Sequence, residues 1–182
     1  NARGWGESVP LIAAALKGGS PGVVSKLIAA GALPDAADNT GRTALSFAAE
    51  KGHVDIVNLL LVAKADPNAG KWNLPLHCAI KAKSAGIVEA LLKAGADVNR
   101  AANLKWRNPG SNFDQTYGKE ITPLAVAVDD EQFDLIKLLL AHKADPNGKN
   151  KDGLPLIFSA VNNAELTKAF LNAGANPNAE NR

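Results

Sequence analysis

Apolar residues recur along the chain in short blocks of helical spacing. Val23-Val24 with Leu27-Ile28, Ile56-Val57 with Leu59-Leu60-Leu61, Ile87-Val88 with Leu91-Leu92, Leu135-Ile136 with Leu138-Leu139-Leu140, and Leu166 with Phe170-Leu171 each mark one apolar stripe. That spacing predicts a helix with a single buried face. An earlier set of openings stands at Val9-Pro10-Leu11, Thr43-Ala44-Leu45, Leu74-Pro75-Leu76, Thr122-Pro123-Leu124 and Leu154-Pro155-Leu156. Proline suits the first turn of a helix, where its missing N–H has no partner to lose. Alanines follow at Ala13-Ala14-Ala15, Ala48-Ala49, Ala79, Ala127 and Ala160, and they let neighbouring helices approach closely. The pattern predicts five helix pairs.

Each pair closes on small residues and a turn: Ala30-Gly31-Ala32-Leu33-Pro34-Asp35, Ala63-Lys64-Ala65-Asp66-Pro67-Asn68, Ala94-Gly95-Ala96-Asp97-Val98-Asn99, His142-Lys143-Ala144-Asp145-Pro146-Asn147 and Ala173-Gly174-Ala175-Asn176-Pro177-Asn178. The glycine or lysine of this ending falls at positions 31, 64, 95, 143 and 174, in steps of 33, 31, 48 and 31. A period near 33 with one long insertion is the signature of a repeat architecture.

These units resemble ankyrin repeats. Thr43-Ala44-Leu45-Ser46-Phe47-Ala48-Ala49, Gly52-His53 and the Ala-Asp-Pro-Asn endings match the family pattern almost position by position, and Leu74-Pro75-Leu76-His77-Cys78-Ala79 matches with leucine in place of threonine. The resemblance runs from Trp5 to Asn178. It implies an all-α solenoid of five helix-turn-helix units joined by β-hairpin-like loops, one loop extended by insertion. The chain is then a single array over residues 1–182, with repeats near 5–35, 36–68, 69–99, 118–147 and 148–178 and the insertion near 100–120.

Two departures bear on stability. Lys64 and Lys143 stand where the pattern has a helix-ending glycine, a position of left-handed backbone. A lysine there is expected to cost on the order of 1 kcal/mol per site. The asparagines Asn68, Asn99, Asn147 and Asn178 are expected to serve turn geometry. Lys26 and Thr167 replace apolar residues of the inner units, as expected of polar capping faces.

The insertion is the largest departure. The connection from Asn99 to Thr122 spans 23 residues, against 8 from Asn147 to Pro155. Its segment, Arg100 to Glu120, holds Trp106, Phe113 and the only tyrosine, Tyr117, beside Arg107. Asn108-Pro109-Gly110-Ser111-Asn112 is a turn signal, so a β-hairpin finger turning at Pro109-Gly110 is expected. Aromatic and arginine side chains are what interface centres prefer; packing back onto the solenoid is the other reading.

The resemblance further implies a protein partner, bound on a concave side built from hairpin tips and first helices, and through the extended loop. Carried onto this sequence, the candidates are Arg42, Lys71, Trp72, Asn73, Lys81, Asp129, Asp130 and Lys151, with Trp106, Arg107, Phe113 and Tyr117 from the insertion. A non-protein ligand (nucleic acid or small molecule) in a groove beside the insertion is the alternative, as is a recognition arm of a larger enzyme.

Composition narrows the rest. Twenty basic and 18 acidic residues give a net charge of +2, too balanced to imply a polyanionic partner, so nucleic acid is disfavoured. No run of about 18 apolar residues occurs, and no membrane span is expected. One cysteine, Cys78, excludes an intramolecular disulfide and reads as a small buried residue. This favours the cytoplasm and leaves a mature secreted or periplasmic chain open. His53, His77 and His142 stand at different repeat positions with no ligand partner at suitable spacing. Asp129-Asp130-Glu131 is expected to open the fourth unit's second helix, where the helix dipole favours acids. No catalytic group, cofactor or metal site is expected, and the array is expected to be a monomer.

Overall fold

A computed structural model of the protein describes residues 10–107 and 114–181, the side chains of 104–107 and 114–119 excepted. The chain divides into two compact units, Asn1–Ala96 and Asp97–Arg182.

In the first unit the described residues form three helix pairs: α1 (Pro10–Lys17) with α2 (Pro21–Ala29), α3 (Ala44–Lys51) with α4 (Val54–Val62), and α5 (Pro75–Lys81) with α6 (Ala85–Lys93). The first helices pack side by side in one row and the second helices in another. Leu11, Leu45 and Leu76 fill the first row; Val24, Val57 and Val88, equivalent positions of the second, are wholly buried. Each such leucine or valine stabilises the stack by about 1.5–3 kcal/mol. The alanines that close the gap between rows, Ala15, Ala48, Ala49 and Ala79, have no exposed surface.

The second unit opens with an antiparallel hairpin, β1 (Ala102–Arg107) against β2 (Asp114–Ile121). Two helix pairs follow. α7 (Pro123–Asp129) packs on α8 (Phe133–Ala141), and a 3-10 helix (Leu156–Ala160) packs on α9 (Ala164–Asn172). The pairing Leu104↔Tyr117 to Arg107↔Asp114 is regular. Between Ala102 and Leu104 the register shifts, and Glu120 takes a positive φ of 57°. This is a β-bulge, which bends the hairpin at its base. Ala102 and Ile121 pair there, and both are buried. The expected turn at Pro109-Gly110 lies outside the described residues.

The fifth pair is also helical, but its first helix is 3-10 where those of the other pairs are α. The N-caps Thr43 and His53, Leu74 and Ser84, and Thr122 and Gln132 are each 10 residues apart, while Pro155 and Asn163 are 8 apart. Fewer residues must cover a similar span. An eight-residue α-helix rises about 12 Å, and a five-residue 3-10 helix about 10 Å because it rises more per residue. The Ser159 hydroxyl also donates to the Leu156 carbonyl at 2.7 Å, competing with an α-helical N–H for that acceptor.

The asparagines are likewise more than turn residues. The aspartate or asparagine two places earlier makes each local turn: Asp66, Asp97, Asp145 and Asn176 accept the N–H of Asn68, Asn99, Asn147 and Asn178 at 2.8–2.9 Å. The terminal asparagine reaches the next ending instead. Asn68 donates to the Gly95 carbonyl at 2.9 Å. Asn147 donates to the Gly174 carbonyl at 3.3 Å and accepts from the Asn176 N–H at 2.8 Å. The carboxamide carries its donor and its acceptor on separate atoms, so one side chain makes both bonds at once.

Candidate interaction surface

The candidate residues sit at two kinds of place: hairpin tips and the turns that end first helices. The tips are built by side-chain turns. Asp38 Oδ1 accepts from the Thr40 and Arg42 N–H groups, each at 2.9 Å. Asn150 Oδ1 does the same for Asp152 at 3.0 Å and Leu154 at 2.8 Å. These turns return the chain to pair Ala37 with Thr43 and Lys149 with Pro155.

In the first unit, Arg42 is drawn inward. Its side chain is 16% exposed, its guanidinium pairs with the Glu50 carboxylate, and it lies 3.9 Å from the centre of the Phe47 ring. Lys71 is exposed, and its backbone N–H donates to the Gly41 carbonyl at 2.9 Å. Trp72 and Lys81 are half-buried. Asn73 corrects the expectation of an accessible tip residue. It is 5% exposed, with a φ of 49°. The turn before α5 needs a left-handed residue, which asparagine tolerates better than most, and the turn carries its side chain into the core. The Asn73 carbonyl accepts from the Cys78 thiol at 3.2 Å. Burial pushes that thiol up to about 12, so at neutral pH it is protonated and poorly nucleophilic.

In the second unit, the structure brings Asp129 and Lys151 together: the Lys151 N–H donates to Asp129 Oδ2 at 3.3 Å. Burial, the largest influence, raises the Asp129 carboxyl above its ordinary range, against the lowering effect of that hydrogen bond and of the Lys151 charge. Asp130 is half-buried and accepts from Gln132 Nε2 at 3.4 Å. The acidic trio does not open α8. Asp129 ends α7, Asp130 caps it, and Glu131 turns the chain with a φ of 53°. Gly18, Gly52 and Lys83 make the same left-handed turn between the two helices of each earlier pair, at 63°, 72° and 55°. Repeat position, aligned to Gly52-His53, overrides the dipole preference.

Beside this turn lies a groove of about 640 Å³ between the α7–α8 turn and the tip and 3-10 helix of the next pair. Phe133 and Phe158 line it while remaining 43% and 40% exposed. Neither is among the residues that the repeat pattern singles out. A usable signal was present for Phe133, because the first residue of the other second helices after α2 is Val54, Ala85 or Ala164. Trp106, Arg107 and Tyr117 lie on β1 and β2, with side chains outside the described set; Phe113 lies outside the described residues altogether.

Among the described residues no group of three or more His, Cys, Asp or Glu is placed to hold a metal ion, and no helix is long and apolar enough to cross a membrane.

Comparison with known proteins agrees with this architecture. The family description "Ankyrin repeats (3 copies)" matches residues 10–102 and again 103–181. Neurogenic locus notch homolog protein 1 of Mus musculus is 31% identical over 198 residues, covering the whole of this chain. Neurogenic locus notch homolog protein 2 of Homo sapiens is 31% identical over 196 residues, covering 97% of it. The chain spans 7% of the length of these relatives.

Proposed function

The chain belongs to the ankyrin repeat family, and from that premise we propose that it is a non-catalytic array of five repeats. It binds another protein through hairpin tips, first-helix ends and the β1–β2 hairpin. Ankyrin repeats are in general protein–protein interaction modules; the choice of surface is the finer reading. The observation that carries it is a division of labour within each pair. The buried positions repeat: Leu45, Leu76, Leu124 and Leu156 are at most 3% exposed. The residues that end the first helices do not repeat. They read Glu50-Lys51 in one pair, Lys81-Ala82 in the next, and Asp129-Asp130 after that. A scaffold kept constant inside and individualised outside suits recognition of one particular surface rather than a shared chemistry.

The test is affinity capture with mass spectrometry at moderate salt. The same chain carrying Lys71→Glu and Asp152→Lys, both at exposed tip positions, serves as the control. A stoichiometric protein recovered with the parent chain and lost with the variant supports the reading. Recovery that is equal on both chains would move the partner to another surface, and co-purifying nucleic acid would replace the protein partner.

A further inference from the structure

The Phe133–Phe158 groove deepens the reading of this chain as a protein-binding array and rests on it. We propose that this groove receives a lysine or arginine, flanked by an apolar side chain, from an extended segment of the partner protein. At about 640 Å³, it falls within the roughly 300–1,000 Å³ of sites that enclose ligands. It lies wholly within the second unit.

Two features give the occupant its chemistry. The first is the pair of phenyl rings left 43% and 40% exposed, while the other phenylalanine of this unit whose side chain is described, Phe170, is fully buried. Exposed ring faces attract cations and apolar side chains alike. The second is the sign of the wall. Asp129, Glu131 and Asp152 line the groove against one cation, Lys151. Lys151 already serves Asp129 through its backbone N–H and its charge, which leaves the wall acidic on balance. An incoming guanidinium or ammonium would meet both carboxylates and phenyl rings in the groove lining. An acidic segment or a nucleic acid would meet repulsion. Asp129 is also partly withdrawn from water, so a cation brought beside it offsets a cost the folded chain already bears.

The experiment is selection of a phage-displayed random dodecapeptide library on the full chain, followed by titration of synthetic winners. The expected winners carry Lys or Arg next to Leu, Ile or Phe. Their affinity should fall at least tenfold on Asp152→Lys and on Phe158→Ala, and replacing the basic residue by citrulline should cost a similar factor. Asp152 is exposed, so Asp152→Lys tests charge without endangering the fold. A winner whose basic residue is changed to Glu should recover affinity on the Asp152→Lys chain. Winners without a basic residue, or winners indifferent to both variants, would overturn the groove proposal and leave the array a binding module elsewhere on its surface. A library that yields no binder at all would count against both readings.

Discussion

Asn99 and Asp145 are joined across 46 residues of sequence: Asn99 Oδ1 accepts the Asp145 N–H at 2.7 Å. The same carboxamide donates to the Lys143 carbonyl at 3.2 Å. The inserted hairpin leaves the chain just after Asn99 and returns before α7, so the clamp closes beneath it. An insertion is tolerated where the bonds that carry the repeat lie outside it, and lengthening such a connection costs little entropy.

Removing one half of the clamp should therefore be measurable. Asn99→Asp keeps an acceptor for Asp145 but cannot donate to Lys143. A loss of about 1 kcal/mol in urea unfolding is expected. The converse is available at the first ending. Asp35 already accepts from the Asp66 N–H at 2.9 Å and, as a carboxylate, has no donor for the Lys64 carbonyl. Asp35→Asn should stabilise by about 0.5–1 kcal/mol. An unchanged midpoint in both variants would show that the clamp is replaced by water at no cost.

The lysines at the repeat endings should be replaceable with profit. Lys64 and Lys143 have φ of 66° and 67°, where Gly31, Gly95 and Gly174 have about 90°. A side chain in that region costs roughly 1 kcal/mol. Lys64→Gly and Lys143→Gly should each raise stability by about that amount, less the greater entropy that glycine gives the unfolded chain. A fall in thermal midpoint would instead assign the lysine side chains a structural contact.

The helix pairs, their endings and the position of the hairpin were legible because each is set by a repeated local pattern. Leu45 and Leu76 sit at the same depth because each stands two residues after its helix opens. The turns at Lys83 and Glu131 were equally present in the alignment to Gly52, and the acidity of the 129–131 trio masked them. What the sequence does not display is how far a side chain is carried by the backbone. Asn73 reads as a tip residue and is buried because its φ is positive. Arg42 reads as a tip cation and folds onto Phe47 and Glu50. The Phe133–Phe158 groove joins residues 25 apart in sequence, and no local pattern announces it.

The inward turn of Arg42 separates stability from recognition. A double-mutant cycle with Arg42→Ala and Glu50→Gln should give a coupling of about 1 kcal/mol, since both side chains are only 16% exposed and partial burial strengthens the pair relative to a surface one. Arg42→Ala alone should cost somewhat more, because it also loses the Phe47 ring. A coupling near zero would mean that Arg42 is available to a partner.

Cys78 should be silent to thiol reagents in the folded chain. Its thiolate form is disfavoured by burial, with the thiol pushed up to about 12. Labelling by an aromatic disulfide at pH 8 should be at least tenfold slower than in denaturing urea. The linkage has a definite sign. The folded value lies above the unfolded value of about 8.5, so stability is unaffected below pH 8 and falls as pH rises toward 12. Between pH 8 and 10.5 the parent chain should lose about 2 kcal/mol more than Cys78→Ala. Parallel curves would show that the thiol is reachable by solvent.

The hairpin itself can be removed as a test of its role. Its base belongs to the fold: Ala102 pairs with Ile121, both are buried, and Asn103 Oδ1 accepts the Glu120 N–H at 3.4 Å. Replacing residues 104–119 by an Asn-Gly turn keeps that base and suits a two-residue hairpin connection. The Asn99–Asp145 clamp lies outside the excised segment, so the unfolding midpoint should shift by less than about 1 kcal/mol equivalent. Partner capture should fall at least tenfold if Trp106, Phe113 and Tyr117 form part of the interface. A large loss of stability would show that these aromatics pack on the repeats and hold the second unit together. Unchanged stability with unchanged capture would confine recognition to the tips and first-helix ends.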